Sequence, residues 1–310
     1  MNVVALAGGV GGAKLAHGLA LELAAQELTV VVNTGDDFEH LGLRISPDLD
    51  TVCYTLAGLA DPGSGWGRLD ETWHAMAALE QLSGPVWFRL GDLDIGTHLE
   101  RTRRLREGAP LSVIVRQFCQ SWGVRHAVLP MTDSQVATIV DTEEGELAFQ
   151  EYFVHRGCRP RLLGFRYLGI ETAVPAPGVA EAISTADLVV VCPSNPWVSI
   201  APILAVPGLS PLIAGRRCVA VSPIVGGRAI KGPAAKMYLE LGIEPSSLAV
   251  ANHYTKIISG LVMDSADRDI EDSVRATGIR TLLAPTIMRS VPDRKRLARA
   301  VLKFGQAYWA

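Results

Sequence analysis

Cysteine is scarce in this sequence, and its few copies form no recognisable pattern. The five cysteines are odd in number, widely scattered along 310 residues and never spaced as C-x-x-C. A disulfide framework needs an even set of cysteines, and a structural zinc site needs closely spaced pairs of ligands. The sequence therefore predicts neither of these, and it favours a reducing, cytoplasmic location.

Excess positive charge is absent as well. Lysine and arginine together number 29 against 32 acidic residues, which gives a formal net charge of −3. Proteins that bind nucleic acid usually carry a basic excess on one face. We therefore expect no nucleic-acid partner.

Long apolar runs are missing too. No stretch approaches the roughly 18 apolar residues of a membrane-spanning helix. The apolar N-terminus lacks the cationic start of a secretory signal peptide, and glycines interrupt it. The sequence therefore predicts folded protein at this end of the chain and no membrane partner.

Short apolar runs alternate with helical patterns along much of the chain. Hydrophobic residues make up 48% of the sequence, which is enough for a large buried core. Residues 2–7 form an apolar run closed by glycines, leucines at helical spacing follow, and a second apolar run ends at Asn33. This order is typical of a βαβ unit. The predicted fold is α/β, with a Rossmann-like, mostly parallel sheet and helices on both faces.

The middle of the chain has a different pattern. It holds three strand-like runs with no clear helix between them, at 137–141, 147–154 and 161–167. Such runs indicate antiparallel pairing. We therefore predict a nucleotide-binding core built from residues 1–60 and 178–310, with an inserted subdomain of helices and antiparallel strands at 61–177.

A glycine-rich loop directly follows the first predicted strand and opens the first predicted helix. It contains Gly8, Gly9, Gly11, Gly12 and Lys14. Glycines let the backbone approach an anion closely, and the first turn of a helix favours phosphate. The spacing fits neither a Walker A loop nor the dinucleotide-binding fingerprint. The loop predicts a phosphate site of another kind, and a tight turn with glycines for packing is the alternative.

The segment 34–50 is strongly acidic. It holds five acids against one arginine: Asp36, Asp37, Glu39, Asp48 and Asp50. Such crowding is unfavourable without a cation, and carboxylate oxygens suit Mg²⁺, which completes its shell with water and substrate phosphate. We predict a Mg²⁺ site held by Asp36, Asp37 and Asp48. Helix caps and turn residues are the alternative for any one of these acids.

Two later turns also carry groups that suit a nucleotide. Ser194 and Asn195 follow a strong apolar run, and Gly227, Arg228 and Lys231 lie in a second glycine turn. Hydroxyl, amide and cationic groups at the ends of strands suit the base and phosphates of a nucleoside diphosphate. Turn chemistry alone would explain either turn separately.

Other charged residues are assigned no role. Four arginines of one predicted helix are expected on its solvated face: Arg101, Arg103, Arg104 and Arg106. The histidines show no spacing typical of metal ligands, and no G-x-S-x-G element indicates a serine hydrolase.

Several long strings, taken together, resemble the 2-phospho-L-lactate transferase family of deazaflavin coenzyme biosynthesis. They are GGVGGAKLAHGL, NTGDDFEHLGLRISPDLDTVCYTLAG, GWGRLDETWHAM, WFRLGDLDIGTHLERTRRL, CPSNPWVSI and SPIVGGRAIKGPAAKM. The resemblance implies Mg²⁺-dependent transfer of a phospholactyl, phosphoenolpyruvyl or phosphoglyceryl group. The donor would be guanosine diphosphate-linked, the acceptor would be the terminal hydroxyl of the deazaflavin Fo, and GMP would be released.

The resemblance also implies roles for individual residues. Asp50 and Arg89 would contact the deazaflavin, and the glycine loop, Ser194, Asn195 and the second glycine turn would hold the nucleotide. Catalysis is expected to depend on Lys14, Asp48 and Asp50, although the residues do not say which acid, if any, is the base. A homodimer is expected, but no residue pattern sets the oligomeric state.

Two other function classes compete with this interpretation. A family of non-catalytic, nucleotide-sugar-binding regulators has a similar glycine loop, but a regulator has no use for the deazaflavin contacts. A nicotinamide-dependent oxidoreductase is disfavoured by the glycine spacing.

Overall fold

The computed structural model describes residues 1–230 and 234–307. Within these ranges the strands are β1 (Val3–Ala7), β2 (Leu28–Val32), β3 (Phe38–His40), β4 (Leu43–Ile45), β5 (Ala127–Pro130), β6 (Ala137–Thr142), β7 (Gly145–Ala148), β8 (Leu162–Leu168), β9 (Leu188–Val191), β10 (Cys218–Val221), β11 (Ile224–Val225), β12 (Arg228–Ala229), β13 (Gly260–Asp264) and β14 (Arg280–Ala284).

The α-helices of the same ranges are α1 (Gly9–Ala20), α2 (Pro47–Ala57), α3 (His74–Gln81), α4 (Asp92–Arg106), α5 (Leu111–Ser121), α6 (Val179–Thr185), α7 (Ala201–Ala205), α8 (Leu209–Ala214), α9 (Ala234–Glu240), α10 (Ser247–Tyr254), α11 (Glu271–Arg275) and α12 (Val291–Ala307). None of them has the length and apolarity needed to span a bilayer.

A parallel sheet of seven strands confirms the predicted α/β fold. Its order is β14-β13-β10-β9-β1-β2-β5, and every neighbouring pair is parallel. The chain starts in the middle of this sheet, moves to one side through β2, and later returns to the other side through β9. The strand order therefore reverses at β1, and the crevice between the ends of β1 and β9 is where such sheets bind ligands.

The central strands are apolar throughout because both faces of the sheet are covered. All five residues of β1 are buried, and so are all four of β9 and of β10. Val4 and Leu6 pack into one apolar cluster, whereas Val3 and Ala5 pack into a second cluster on the opposite face. Strands buried on both faces read as continuous apolar runs rather than alternating ones.

The middle of the chain forms the predicted antiparallel sheet, in the order β7-β6-β8. The strand expected over 147–154 is wrong beyond Ala148, where β7 ends, because the chain turns helical and a helical turn spans Glu151–His155. In this turn both His155 and Arg156 pair with the Glu151 carboxylate, at 2.8 Å and 3.0 Å. Side chains four and five residues apart meet on a helical turn, whereas an extended strand would separate them.

Residues 61–177 are not confined to the antiparallel sheet and its helices. β5 lies in this range, and it is the edge strand of the main sheet, where it pairs with β2. The division of the chain into a core and an insertion stays a prediction.

We predict opposite effects from two glycine-to-alanine substitutions in helices. A side chain at Gly18, in α1, would overlap the backbone oxygen of Arg294 in α12, whereas Gly96, exposed in α4, has nothing within 4 Å of an added Cβ. Gly96→Ala should raise the free energy of unfolding by about 0.5–1 kcal/mol, the helix-propensity gain. Gly18→Ala should lower it, because α1 and α12 must move apart.

Urea denaturation of both variants measures the difference. A gain in stability in Gly18→Ala would contradict the close packing of α1 on α12.

Candidate active site

A cavity of about 930 Å³ opens at the point where the strand order reverses. The loops that follow β1, β2 and β9 all contribute to its wall, through Gly8, Asp36 and Ser194. The N-terminal turn of α2 contributes Asp48 and Asp50. The cavity therefore brings together the first glycine loop, the acidic segment and the turn after β9, as the sequence predicts for a nucleotide site.

The glycine loop begins α1 in close contact with the turn after β9. Gly9 has φ +60°, a left-handed conformation that glycine adopts without strain. A side chain at Gly11 would overlap the carbonyl oxygen of Pro193, and one at Gly12 would overlap the hydroxyl of Ser194. Glycine at these positions is required for the approach of two backbones, in addition to any role with phosphate.

The first N–H groups of α1 already have partners. The Gly8 N–H donates to Ser194 Oγ at 3.1 Å, and the Gly9 N–H donates to Asp48 Oδ1 at 2.6 Å. Four N–H groups at a helix N-terminus have no partner within the helix, so the remaining ones of this turn are available to an anion in the cavity. The Asp48 carboxylate also lies at the positive end of the α1 dipole, which favours its ionised form.

Lys14 lines the same cavity from the second turn of α1. Its Nζ donates to the backbone oxygen of Met288 at 3.1 Å. A cation near a helix N-terminus is repelled by the positive end of the helix dipole. The hydrogen bond to the Met288 carbonyl offsets this repulsion and holds the Lys14 ammonium at the edge of the cavity.

Asn33 connects the acidic side chains of the cavity. This side chain is completely buried, and its Nδ2 lies 3.2 Å from Asp36 Oδ1, 3.0 Å from Asp48 Oδ2 and 3.0 Å from the backbone oxygen of Val198. Its Oδ1 accepts the Gly35 N–H at 2.8 Å. An amide nitrogen has only two hydrogens, and here it faces three acceptors. The two carboxylates therefore depend on the same NH2 group, which cannot give each acceptor a hydrogen of its own.

The two carboxylates that share Asn33 resist ionisation in the absence of a bound cation. Burial, followed by the charges of Asp48 and Asp37, raises the pKa of Asp36 well above its ordinary value. Burial also raises the pKa of Asp48 to about 6, although hydrogen bonds from Asn33 and the Gly9 N–H oppose the shift. Oxygen ligands of this kind suit Mg²⁺. The donor set of Asp36 and Asp48 therefore fits the predicted metal.

Asp37, the third predicted ligand, is not among the residues that line the cavity. Its Oδ2 accepts the Ser46 hydroxyl at 2.7 Å and lies 3.6 Å from Arg44 Nη2. Burial raises the pKa of Asp37 to about 7, against the lowering effect of the Arg44 charge. Gln150, unlike Asp37, lines the cavity, and its amide donates to Asp36 Oδ2 at 3.2 Å.

Asp50 lines the cavity while its carboxylate is held by Arg101. Arg101 Nη1 donates to Asp50 Oδ2 at 3.0 Å, and Nη2 donates to Oδ1. The expectation that Arg101 lies on a solvated face is wrong, because this side chain is only 1% exposed. A buried carboxylate needs a compensating partner. Arg103 of the same helix is exposed, as expected.

Ser194 and Asn195 both line the cavity, but their side chains mainly secure the local backbone. Ser194 Oγ donates to the Gly8 carbonyl at 2.8 Å. Asn195 Oδ1 accepts the N–H of Trp197 at 3.0 Å and so caps the helical turn Pro196–Ile200. The two residues therefore fix the turn after β9 against the glycine loop.

The second glycine turn lies beside the cavity, and Ala229 and Ile230 of its hairpin form part of the wall. Gly227 and Arg228 are exposed in the turn of the β11–β12 hairpin and are not lining residues. Lys231 lies outside the described residues. The nucleotide-binding role of this turn stays a prediction.

Aromatic side chains form another part of the cavity wall. They are Trp66, Trp87, Phe88, Phe149 and Phe153. Trp87 stacks on His155 with ring centroids 4.9 Å apart. Arg89 also lines the cavity, and its guanidinium lies 4.2 Å from the centroid of the Trp73 ring. A flat aromatic ligand would find stacking partners and a cation there.

Several residues of the site were not identified from the sequence. Asn33 and Gln150 hold the cavity acids, and Asp94, His98 and Arg101 surround Asp50, with Asp94 and His98 also in the cavity wall. The spacing of the last three, four and then three residues apart, places them on one face of a helix. That spacing could have indicated a polar cluster on one face of α4. The apolar residues Ile95 and Leu99, which lie between these positions, instead predicted that a different face is buried.

Comparisons with known proteins identify the relatives of this chain. The family model described as "2-phospho-L-lactate transferase CofD" matches residues 3–285. A phosphoenolpyruvate transferase of Streptomyces griseus is 42% identical over 314 residues, covering 99% of each chain. A 2-phospho-L-lactate transferase of Methanopyrus kandleri is 39% identical over 305 residues, covering 98% of this chain and 97% of its own.

Solved structures support the fold. A crystal structure of a upf0052 family member from Bacillus halodurans matches with a TM-score of 0.64 at 17% identity, covering 97% of this chain and 98% of its own. At that identity the likeness concerns the architecture.

We predict that the cavity acids make folding stability depend on pH. The pKa values of Asp36 and Asp48 in the fold are raised above the unfolded value of about 3.9. In metal-free buffer the free energy of unfolding should therefore fall as the pH rises from about 4 to about 8. Asp36→Asn should reduce this slope, and added Mg²⁺ should stabilise the wild type more at high pH.

Urea denaturation over this pH range, with and without Mg²⁺, measures both effects. Asp61→Asn serves as the control, because backbone hydrogen bonds from Gly63 and Ser64 lower the pKa of Asp61, so its loss should leave the slope above pH 5 unchanged. An equal slope in Asp36→Asn and the wild type would contradict the electrostatic analysis.

Proposed function

This chain belongs to the 2-phospho-L-lactate transferase CofD family, and we propose that its cavity binds both a guanosine diphosphate-linked donor and the deazaflavin Fo. The chain is an enzyme of that transferase type and moves a phospho-acyl group onto Fo. One observation carries the assignment of the cavity: the glycine loop and two crowded carboxylates lie in a wall that also contains a cluster of aromatic rings. A regulator without Fo would have no use for the aromatic rings, Asp50 and Arg89.

The donor diphosphate binds at the N-terminus of α1, beside Lys14. The support is geometric, since the first turn of α1 lines the cavity and the Lys14 ammonium is held at its edge by Met288. Ser194 and Asn195 keep the facing turn at a fixed distance from the glycine loop. Gly227, Arg228 and Lys231 are proposed to reach the nucleotide from the neighbouring hairpin.

Mg²⁺ is proposed to bind at Asp36 and Asp48, the two carboxylates that share the Asn33 amide. When bound, it would neutralise charge on the donor phosphates and make the transferred phosphorus more electrophilic. Asp37 is proposed to support this site from behind, through Ser46 and Arg44.

Fo is proposed to bind against the aromatic wall, with Arg89 and Asp50 as its polar contacts. The ring system would stack on the aromatic side chains, and the ribityl chain would point its terminal hydroxyl toward the donor phosphates. Arg101 keeps the Asp50 carboxylate in place for this contact. The electron pair of the hydroxyl forms the new P–O bond, and the bond to the GMP phosphate breaks.

The proton of the hydroxyl passes to solvent or to the departing GMP phosphate in the same reaction. Asp48 and Asp50 are the acids of α2 that line the cavity, and one of them is proposed to orient the hydroxyl. A helix N-terminus stabilises an anion by only about 0.3–1 kcal/mol, whereas enzymes lower barriers by about 8 kcal/mol or more. The carboxylates, the metal and Lys14 must therefore supply most of the catalysis.

A cytoplasmic location and a homodimer complete the proposal. All five cysteines are free and buried, which supports a reducing compartment.

We predict Mg²⁺-dependent release of GMP when the protein is mixed with Fo and a suitable donor. A panel of phospholactyl, phosphoenolpyruvyl and phosphoglyceryl donors, followed by mass spectrometry of the Fo product, identifies the acid. One apolar group in a pocket discriminates by only about 1–3 kcal/mol, so more than one donor should react. Asp48→Asn should abolish most turnover, and Gly96→Ala is the matched control. Absence of any phospho-acyl product with all three donors would refute the assignment.

We also predict that Lys14→Ala folds normally and binds GDP at least tenfold more weakly, the factor that about 1.4 kcal/mol represents. A shielded lysine contributes charge-assisted hydrogen bonds to phosphate. Titration calorimetry with GDP measures the affinity. Wild-type affinity in the variant would remove Lys14 from the donor site.

A further inference from the structure

A chain of buried polar side chains continues from Asp50, and Tyr54, Asp94 and His98 of this chain also line the cavity. Tyr54 donates from its hydroxyl to Asp94 Oδ1 at 2.7 Å, and Asp94 Oδ2 lies 3.2 Å from His98 Nε2. Arg101 Nη1 lies 3.3 Å from His98 Nδ1 and 3.0 Å from Asp50 Oδ2. All five residues are buried. We call this set the Asp50 support chain.

The support chain selects one form of the His98 ring. A guanidinium has donors only, so the His98 Nδ1 beside Arg101 must be the acceptor. The ring proton then lies on Nε2, 3.2 Å from Asp94 Oδ2, where the carboxylate charge stabilises it although the N–H is not aligned for a hydrogen bond. Asp94 therefore favours the form of His98 that can accept from Arg101, in the way that a second carboxylate commonly sets the tautomer of a functional histidine.

Two side chains, Asp50 and His98, fix the terminal nitrogens of Arg101. One side of its guanidinium binds the Asp50 carboxylate through two hydrogen bonds, and Nη1 is also held by His98. Burial alone would lower the pKa of Arg101, but the charge and hydrogen bonds of Asp50 raise it. A bidentate pair of this kind sets both the position and the plane of the carboxylate.

The far end of the chain is anchored to the start of α4. Glu71 accepts the N–H groups of Leu93 and Asp94, each at 2.8 Å, in the first turn of this helix. A side chain at Gly91 would overlap the Glu71 carboxylate. The position of Asp94 is therefore set by backbone contacts that do not involve the cavity contents.

We propose that Asp94 and His98 are positioning residues for the acceptor: through Arg101 they hold the Asp50 carboxylate where it contacts Fo. This inference rests on the proposed function, because it takes Asp50 as an Fo contact. It goes further by assigning the specificity of the acceptor end of the cavity to residues on α4. The donor end is held separately, by Asn33 and the glycine loop.

A metal site is the competing use of the same residues. Asp50, Asp94 and His98 each offer one ligand atom, and these atoms lie within 4.8 Å of one another. Arg101, however, already places a cation against Asp50 and against the Nδ1 of His98. A second cation at the same point would face the guanidinium charge, so the geometry favours the positioning role.

The binding test compares three variants with the wild type. In Asp94→Asn the amide oxygen accepts the Tyr54 hydroxyl, so the NH2 group faces His98 Nε2 and favours the tautomer protonated on Nδ1. His98→Leu removes the acceptor for Arg101. Both should weaken Fo binding at least tenfold while GDP affinity stays within twofold. His98→Asn keeps an acceptor oxygen near the Nδ1 position and should restore most of the Fo affinity. The dissociation constants come from Fo fluorescence and GDP calorimetry.

Ser112→Ala is the control for general destabilisation. Ser112 is a buried residue that hydrogen-bonds Asp133 at the start of α5, and it does not line the cavity. Its loss should lower stability without changing Fo affinity. Unchanged Fo affinity in Asp94→Asn and His98→Leu would overturn the proposal. An equal loss of GDP and Fo affinity would also overturn it, because it would indicate a general structural role.

A second measurement does not depend on Fo. Long-range ¹H–¹⁵N correlation spectra of histidine-labelled protein distinguish Nε2-protonated from Nδ1-protonated rings, with His98→Asn used to assign the signal. The wild type should show the Nε2-protonated form, and Asp94→Asn should shift it to the Nδ1-protonated form. An Nδ1-protonated ring in the wild type would overturn the proposal.

The outcomes separate this inference from the proposed function. A wild type that binds no Fo refutes the proposed function. The tautomer of His98 then still tests the hydrogen-bond arrangement of the Asp50 support chain, because that measurement does not need Fo. A Mg²⁺-induced rise in melting temperature that disappears in both Asp94→Asn and His98→Leu would identify a metal site there and overturn the positioning role.

Discussion

The side-chain amide of Asn33 is the interaction on which the cavity depends. This one group connects the end of β2 to the acids of the segment that follows and to the backbone of the helical turn Pro196–Ile200. The turn is 165 residues away from Asn33 in the chain, whereas the acids follow within 15 residues, and each of these partners brings a charge or a polar backbone group out of water. An unsatisfied buried group costs about 1–3 kcal/mol, so Asn33 stabilises an arrangement that would otherwise rearrange toward solvent.

Two separate devices handle buried negative charge in this site. At the donor end, Asp36 and Asp48 share a neutral donor, and their pKa values are raised. At the acceptor end, Asp50 is matched by a full positive charge on Arg101. At the donor end the negative charge of Asp36 and Asp48 is left for a bound cation to compensate. At the acceptor end Arg101 compensates the charge of Asp50 whether or not a ligand is bound. One helix, α2, carries acids of both kinds, Asp48 and Asp50, two positions apart.

The sequence was sufficient for the fold and for the glycine loop and acids of the cavity, but not for its aromatic wall. Continuous apolar strands, the glycine loop after β1 and the acidic segment after β2 follow from periodicity and from the rule that ligands bind at the ends of parallel strands. Arg101 and His98 could not be found in this way, because surface and buried arginines share the same helical spacing. What distinguishes them is a partner 51 residues away in the chain, Asp50.

The glycine at position 8 has a consequence for how the two halves of the cavity can change. A side chain there would overlap the Oδ2 atom of Asp48 and lie 2.7 Å from the Cβ atom of Ser199. The loop that would bind phosphate is thus fitted to a carboxylate from another segment and to a turn from a third. If the glycine loop alone were transplanted into another protein, it would lack Asp48 and Ser199, the two residues against which it packs here. A substitution in one of these three segments therefore has to be accommodated by the other two.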